Sequence, residues 1–279
     1  MLAQVQPREY STWFTTVGRS ASYTQKVTST RSRVVLLHGF AQTANCWSTT
    51  AVQEALWRRI AGPTTEISAP TLPGHGSNPG VLDPLATLWT VANHLVSELG
   101  AGTYLGYSFG GRLALHAALE HPEAVKRLIL VSATPGIADT ADRAARQHED
   151  AALAERIEQI GVSAFITEWL ALAMFEGLSD SARFLEERQR NTAAGLAWAL
   201  KRLGTGSQDN LWARLAELSM PVLVLTGTQD EKFAEIGDQM CSAIGSNASR
   251  VSVDGAGHSA HLEQPEQFAR AVSEWLATT

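Results

Sequence analysis

Gly106-Tyr107-Ser108-Phe109-Gly110 is the stretch of sequence that decides how this chain folds. It follows an apolar lead-in at residues 102–105 and opens onto residues 111–119, whose Leu and Ala content is typical of a helix. A G-x-S-x-G pentapeptide between a strand and a helix forms a sharp turn that holds the serine hydroxyl above the sheet edge. We therefore expect the Oγ atom of Ser108 to be exposed at the carboxyl end of a strand, with the amide of Phe109 beside it.

Short apolar runs recur on both sides of this turn, and they indicate the strands of one sheet. Continuous runs such as Val34-Val35-Leu36-Leu37 fit strands that are buried on both faces. The predicted strands are residues 33–37, 103–107, 127–131, 221–226 and 250–253. The expected fold class is therefore α/β, with a mostly parallel central sheet flanked by helices. Residues 12–17 and 22–27 could add an antiparallel edge hairpin.

One interval breaks the alternation of strand and helix. No strand is predicted between residues 134 and 217, and the predicted helices there are 139–160, 162–174, 179–190 and 193–203. An all-helical block between two buried strands is typical of a lid over the strand ends, where ligands bind in open α/β sheets. We therefore expect a core in two parts, residues 1–134 and 218–279, with a helical cap at residues 135–217.

Composition excludes several classes of function. The 279 residues can bury a large core, and a net charge of −6 argues against a general nucleic-acid binder, which needs a basic face. Cys46 and Cys241 are far apart and lack metal-ligand spacing, so neither a metal site nor a disulfide framework is predicted. No apolar run approaches the length of a membrane span, so we expect a soluble, cytoplasmic protein without membrane insertion. The oligomeric state is not predicted.

An exposed serine reacts only when a histidine accepts its proton, and that imidazole needs a carboxylate to fix its tautomer. Asp230 follows the predicted strand at 221–226, and His258 follows the one at 250–253. Both therefore lie just beyond a strand's carboxyl end, in the chain order serine, acid, histidine that the hydrolase turn requires. His261 is a competing base, but the loop Gly255-Ala256-Gly257-His258 must turn sharply, which favours His258.

Stabilising a negative oxygen in the transition state requires a second backbone donor opposite Phe109. The dipeptide His38-Gly39 ends the first predicted strand, and the N–H group of Phe40 that follows could serve as this donor. A plain turn is the alternative. The loop at residues 72–77 should border the same site, with His75 as a hydrogen-bonding residue that fixes it.

These elements together resemble the alpha/beta-hydrolase superfamily with a helical cap. Finer features resemble the 2-succinyl-6-hydroxy-2,4-cyclohexadiene-1-carboxylate synthases of menaquinone biosynthesis. That resemblance is carried by residues 106–112, 143–150, 187–188, 195–197, 204–208, 211–212 and 230–233. It implies a lyase that eliminates pyruvate from 2-succinyl-5-enolpyruvyl-6-hydroxy-3-cyclohexene-1-carboxylate, without a metal or organic cofactor. The implied partner is a small anionic metabolite with several carboxylates.

Such a substrate needs fixed positive charge in its site, and guanidinium groups hold carboxylates bidentately. Arg112 stands four residues after Ser108, one helical turn along, so it can face the same cavity. A role as a salt-bridging helix arginine is the alternative. The resemblance implies Arg146 and Arg188 as further ligands from the cap.

Some of these assignments have competing explanations. Arg143 and Arg190 are near neighbours of the cap arginines and could be the true contacts. The resemblance also implies substrate contacts for Tyr107 and Trp169, although core packing explains Trp169 equally well.

Ser108 is expected to act as a general base that removes a ring proton, with no acyl-enzyme.

The sequence is also compatible with two other functions. A serine hydrolase of small-molecule esters or carbon–carbon bonds would use the same serine, acid and histidine, but it would present an apolar cap face to the substrate. A ligand receptor that retains these three residues and turns over slowly is the non-enzymatic alternative. Arginines that point into the cavity would favour the lyase.

Overall fold

The computed structural model describes residues 32–47, 57, 60 and 65–279. The hairpin predicted at residues 12–17 and 22–27 lies outside these residues. Within them, the strands are β1 (Arg33–Leu37), β2 (Glu66–Ser68), β3 (Gly102–Tyr107), β4 (Val125–Val131), β5 (Val222–Gly227) and β6 (Ala248–Val253). The helices are α1 (Leu88–Leu99), α2 (Phe109–Glu120), α3 (Thr140–Leu170), α4 (Leu185–Gln189), α5 (Ala193–Leu203), α6 (Glu231–Ile244), α7 (Ala260–Glu263) and α8 (Pro265–Thr278).

The described strands form one parallel sheet, in the order β2-β1-β3-β4-β5-β6. Every residue of β3 and of β5 is buried, as the continuous apolar runs predict. The expected α/β fold with helices on both faces is confirmed. Because all of these strands run in the same direction, the residues that follow them meet at one edge of the sheet.

Two apolar layers hold the helices against the sheet. On one face, β3 and β4 side chains such as Tyr104 and Leu128 pack against α1, α2 and α6. On the other face, Leu105 and Ile129 alternate with them and pack against Trp47 and α8. Burial of each such side chain contributes roughly 1.5–3 kcal/mol, so the sheet is a rigid platform for the loops above it.

Only helices and turns connect β4 to β5 in the described chain, and residues 140–217 of this connection are called the helical segment below. Asp139 starts α3 as an N-cap, since its carboxylate accepts the amides of Ala141 and Asp142 at 2.8 and 3.0 Å. Gly161, at a φ of 77°, breaks α3 where the predicted helices 139–160 and 162–174 part. The helical segment has its own apolar core, which includes Phe165 and Leu196.

The helix predicted at 179–190 is wrong. The chain forms a 3₁₀ turn at Ser181–Arg183 and the short helix α4, with Phe184 between them at a left-handed φ of 48°. The predicted helix 162–174 also ends early, at Leu170, and a separate turn follows at Ala173–Phe175. Buried contacts of Phe175 and Arg188 override the local helix propensity in this stretch. None of the described helices has the length and apolar character needed to cross a bilayer.

Candidate active site

Ser108 sits on a strained turn between β3 and α2. Its φ and ψ are 49° and −106°, in the region that residues with a side chain rarely adopt. Gly106 and Gly110 make the turn possible, since a Cβ on Gly106 would lie 2.3 Å from the Gly110 carbonyl oxygen, and one on Gly110 would lie 2.3 Å from that of Leu37. The turn leaves the Ser108 side chain half-buried at the carboxyl edge of the sheet.

The structure brings Ser108, His258 and Asp230 into one hydrogen-bonded chain. The Nε2 atom of His258 lies 3.1 Å from the Oγ atom of Ser108, and its Nδ1 atom lies 2.6 Å from the Oδ2 atom of Asp230. A carboxylate only accepts, so Nδ1 of His258 carries the ring proton and donates a hydrogen bond to Asp230. The neutral ring then presents an unprotonated Nε2 to the serine hydroxyl, as a general base requires.

His261, the competing base, lies away from the serine. It is buried in an aromatic cluster, with its ring centroid 4.4 Å from that of Tyr107 and 4.8 Å from that of Trp47. Burial, helped by the neighbouring His258, lowers its pKa to about 3. His261 is therefore a neutral packing residue at physiological pH.

The turn that carries Phe40 is closed by two hydrogen bonds between Gly39 and Gln42. The amide of Gly39 donates to the Oε1 atom of Gln42 at 2.9 Å, and the amide of Gln42 donates to the Gly39 carbonyl at 3.2 Å. Within the described residues, the amides of Phe40 and Phe109 donate to no protein acceptor. Two residues with free N–H groups thus line the same cavity as Ser108, one from the turn after β1 and one from the start of α2.

Two buried histidines fix the loops beneath this turn. The amide of Leu72 donates to Nε2 of His38 at 2.9 Å, so the proton of His38 is on Nδ1, which donates to the Gly39 carbonyl at 2.8 Å. His75 donates through Nδ1 to the Pro73 carbonyl at 3.0 Å. Burial lowers the pKa of both rings, that of His75 to about 4, so both stay neutral. His75 fixes its loop, as the sequence predicts.

A cavity of about 480 Å³ opens above the Ser108 hydroxyl, a size typical of small-molecule sites. Its polar lining includes Ser108, Asp230, His258, Arg112, Arg146 and Lys232. Its apolar lining includes Phe40, Trp169, Met174, Leu200, Trp212 and Ile236. The lining comes from both the sheet edge and the helical segment, so the helical segment forms one wall of the cavity.

Arg112 reaches from the core helix α2 to the helical segment. Its Nη1 atom donates to the Leu203 carbonyl at 2.7 Å, and its guanidinium carbon lies 5.2 Å from the centroid of the Phe109 ring. Burial lowers its pKa to about 10, with Asp150 opposing the shift and Arg146 adding to it. Arg112 therefore stays charged at neutral pH and forms part of the cavity wall.

Arg146 and Arg188, the two cap arginines that the resemblance implies, lie in different places. Arg146 lines the cavity and donates through Nε to Oδ1 of Asp150 at 2.8 Å. Arg188 lines a smaller pocket that also adjoins Ser108 and His258. It donates through Nε to the Arg183 carbonyl at 2.8 Å, and burial lowers its pKa.

Both Nη atoms of Arg188 are buried and have no hydrogen-bond partner among the described residues. A buried guanidinium with two free nitrogens is costly unless an anion reaches it. Arg190 instead faces solvent and pairs with Glu187 at 3.3 Å, and Arg143 lines neither pocket beside Ser108. Arg146 and Arg188 therefore line the pockets beside Ser108, whereas their near neighbours Arg143 and Arg190 do not.

Tyr107 and Trp169 both adjoin the site, in different ways. The hydroxyl of Tyr107 is 2.7 Å from the Oγ atom of Ser259, its side chain is almost fully buried, and the residue borders the smaller pocket. Trp169 lines both pockets and also packs against Phe40 and Phe165, at centroid distances of 5.4 and 5.7 Å. Trp169 therefore both packs in the apolar core of the helical segment and lines the site, the two alternatives that the sequence left open.

Lys232 is a cavity residue that the sequence reasoning missed. It is exposed, lies in the first turn of α6 two residues after Asp230, and has no ion pair among the described residues. A basic residue in the first turn opposes the helix dipole, and this placement is the signal that could have identified it. No group of His, Cys, Asp or Glu in the described part of the chain could hold a metal ion.

Comparison with known proteins gives one family and two kinds of relative. The model of the alpha/beta hydrolase family matches residues 34–271. A 2-succinyl-6-hydroxy-2,4-cyclohexadiene-1-carboxylate synthase of Pectobacterium atrosepticum is 32% identical over 214 residues, 74% of this chain and 81% of that protein. MenH from S. aureus is 27% identical, with a TM-score of 0.81 over 96% of this chain and 98% of that one. A malate-bound esterase of Thermogutta terrifontis is 25% identical, with a TM-score of 0.70 over 90% and 91% of the two chains.

Proposed function

Because this chain belongs to the alpha/beta hydrolase family and is similar along most of its length to 2-succinyl-6-hydroxy-2,4-cyclohexadiene-1-carboxylate synthases, we propose that it is a lyase of that kind. Its substrate is 2-succinyl-5-enolpyruvyl-6-hydroxy-3-cyclohexene-1-carboxylate, and its products are pyruvate and the cyclohexadiene. The proposal places the enzyme in menaquinone biosynthesis, with the cytoplasm as its compartment. Residues 135–217 act as the cap over the site.

One observation carries this assignment: four cations line the two pockets that Ser108 also lines. Arg112, Arg146 and Lys232 line the main cavity, and Arg188 lines the adjoining pocket. The substrate has three carboxylates, on the ring, on the succinyl chain and on the enolpyruvyl group. A hydrolase of neutral esters has no use for four cations in the pockets beside its serine, whereas a polyanionic substrate needs them.

Ser108 then works as a general base. His258 accepts the serine proton at Nε2, and Asp230 holds the imidazolium that forms. The serine oxygen removes the ring proton at C2, which the neighbouring succinyl ketone makes acidic. The C2 electron pair forms the C2–C3 double bond, the C3–C4 double bond moves to C4–C5, and the C5–O bond breaks.

The leaving group departs as the enolate of pyruvate and takes a proton from His258, which returns the site to its starting state. Negative charge develops on the succinyl ketone oxygen while the C2 proton leaves. The free amides of Phe40 and Phe109 donate to that oxygen, which stabilises the transition state more than the ground state. No covalent bond to Ser108 forms, so intact-protein mass spectrometry during turnover should detect only the unmodified chain.

The test measures pyruvate release, coupled to lactate dehydrogenase, beside hydrolysis of a p-nitrophenyl ester. The lyase proposal predicts pyruvate well above the spontaneous rate and little ester hydrolysis. Fast ester hydrolysis without pyruvate release assigns the chain to the hydrolases, and neither activity favours a ligand receptor. Arg146→Ala and Arg188→Ala should each raise KM, whereas the neighbouring Arg143→Ala and Arg190→Ala serve as matched controls and should not.

A further inference from the structure

Asp150 is a buried carboxylate at the arginine-lined end of the cavity. Its Oδ1 atom accepts from Nε of Arg146 at 2.8 Å, and its Oδ2 atom accepts the amide of Gly206 at 2.9 Å. Only 4% of its side chain is exposed, against 37% for that of Arg146. The two residues are one turn apart on α3, so their side chains lie on the same face. Asp150 binds the Nε atom of Arg146 from its buried position, and Arg146 lines the cavity.

The turn at residues 203–206 binds both arginines of the main cavity, Arg112 directly and Arg146 through Asp150. Leu203 accepts from Arg112 through its carbonyl, and Gly206 binds Asp150 through its amide. This turn approaches α3 closely because Gly204 and Gly206 have no Cβ: one on Gly204 would lie 2.5 Å from Oδ2 of Asp150. A Cβ on Gly206 would lie 2.3 Å from a backbone nitrogen of α3. The acid therefore has little freedom to move.

The positive charge at this end is not fully balanced by protein groups. Asp150 balances one of the two guanidinium charges of Arg112 and Arg146, which leaves one net positive charge. The Nη atoms of Arg146 have no partner among the described residues, although its Nε is fixed. A guanidinium that is fixed at Nε can still bind one carboxylate through its two Nη atoms, and one carboxylate balances the remaining positive charge.

We propose that Asp150 is a positioning residue: it orients Arg146 so that both Nη atoms face the cavity, and together with Arg112 this end binds one carboxylate of the substrate. This inference rests on the proposed lyase function. Asp150 acts through Arg146 and does not touch the substrate. Its charge and its geometry have opposite consequences, which makes the inference testable. Loss of the negative charge alone would strengthen anion binding, whereas loss of the orientation weakens it.

The experiment measures KM and kcat for pyruvate release by the full-length protein and its variants. Asp150→Asn should raise KM about 10-fold or more, as loss of a charge-assisted hydrogen bond does, with a smaller change in kcat. Glu149→Gln is the matched control, since it removes one charge from the adjacent, exposed position of α3 and should leave KM unchanged. A KM for Asp150→Asn that equals or falls below that of the wild type overturns the inference.

Two further variants separate positioning from a purely structural role. Arg146→Lys leaves the Asp150–Gly206 bond intact but offers only one nitrogen, which the acid occupies, so KM should again rise about 10-fold. A wild-type KM for this variant overturns the inference even if Asp150→Asn fails to fold. In the double variant Arg146→Gln, Asp150→Asn, kcat/KM should match that of Arg146→Gln alone, whereas independent, multiplicative losses contradict positioning. A wild type that releases no pyruvate rejects the lyase proposal itself, and this inference with it.

Discussion

The Nδ1 atom of His258 lies 2.6 Å from the Oδ2 atom of Asp230, and this contact decides which ring nitrogen faces the serine. The acceptor carboxylate keeps the proton on Nδ1, so Nε2 is free to accept the proton of Ser108. Asp230 therefore acts on the reaction through the tautomer of a neighbour.

Asp230→Asn should disable the base while leaving the cavity intact. The amide can donate to Nδ1, which moves the imidazole proton to Nε2 and removes the acceptor for Ser108. We expect kcat for pyruvate release to fall by about 10³–10⁴-fold, with KM changed far less. Asp238→Asn, an exposed acid of α6 that pairs with Arg250, is the control for the loss of one charge. A kcat within a few fold of the wild type would show that Asp230 has no role in the reaction.

Lys232→Glu should slow the capture of the substrate. The chain carries a net charge of −6, so a polyanion is repelled except where local cations attract it. We expect kcat/KM to fall roughly 10-fold at low ionic strength, and the difference to shrink as salt screens the charges over about 3–10 Å. The measurement is kcat/KM as a function of salt concentration.

Lys126→Glu is the matched control for that prediction. Lys126 is also exposed, but it lies near the amino end of β4, at the edge of the sheet opposite the cavity. The Lys126→Glu substitution changes the net charge by the same amount as Lys232→Glu but leaves the charges at the site unchanged. Equal losses in the two variants would mean that net charge matters and that the position of Lys232 does not.

Acid should destabilise the fold through its buried neutral histidines. Burial lowers the pKa of His116 to about 4, although the hydrogen bond to the Arg112 carbonyl opposes the shift. The unfolded chain, in which this pKa is about 6.5, binds the extra proton as the pH falls from about 6.5 toward 4, so stability is lost in that window. Between pH 7 and 5.5, His116 alone should lower the free energy of unfolding by about 1 kcal/mol.

Urea denaturation at the two pH values checks this. His116→Asn keeps a donor near the position of Nδ1, which bonds the Arg112 carbonyl, but it does not titrate. The pH-dependent loss should therefore be smaller in this variant by about 1 kcal/mol. His148→Asn, on the exposed face of α3, controls for removal of an imidazole. Equal pH-dependent losses in His116→Asn and the wild type would contradict the assignment of His116 as a buried neutral group.

The sequence predicts every described strand except the short edge strand β2, and it predicts the positions of Ser108, Asp230 and His258, because each follows from local pattern. A buried parallel strand needs a continuous apolar run, and the residues after such strands meet at one edge. The three side chains are indeed within hydrogen-bonding distance, while their catalytic roles stay predictions. The choice of Arg146 and Arg188 over Arg143 and Arg190 came from resemblance, and local pattern alone does not distinguish these neighbours.

The features that sequence did not predict depend on contacts between distant segments. Phe184 takes a left-handed conformation that breaks the predicted helix, and no local signal marks it. The link from Asp150 to Gly206 joins residues 56 positions apart. It exists because two glycines let a turn approach a helix. Lys232 reaches the cavity because the helix after β5 begins at its rim.

The rate of pyruvate release by Ser108→Ala tests the central claim most directly, because it asks whether this serine is the base of an elimination. The variant removes one hydroxyl from a half-buried position and leaves the arginines in place, so substrate should still bind with a KM near that of the wild type. We predict a fall in kcat of at least about 10³-fold, toward the spontaneous rate. Pyruvate release at the wild-type rate by Ser108→Ala would contradict the account.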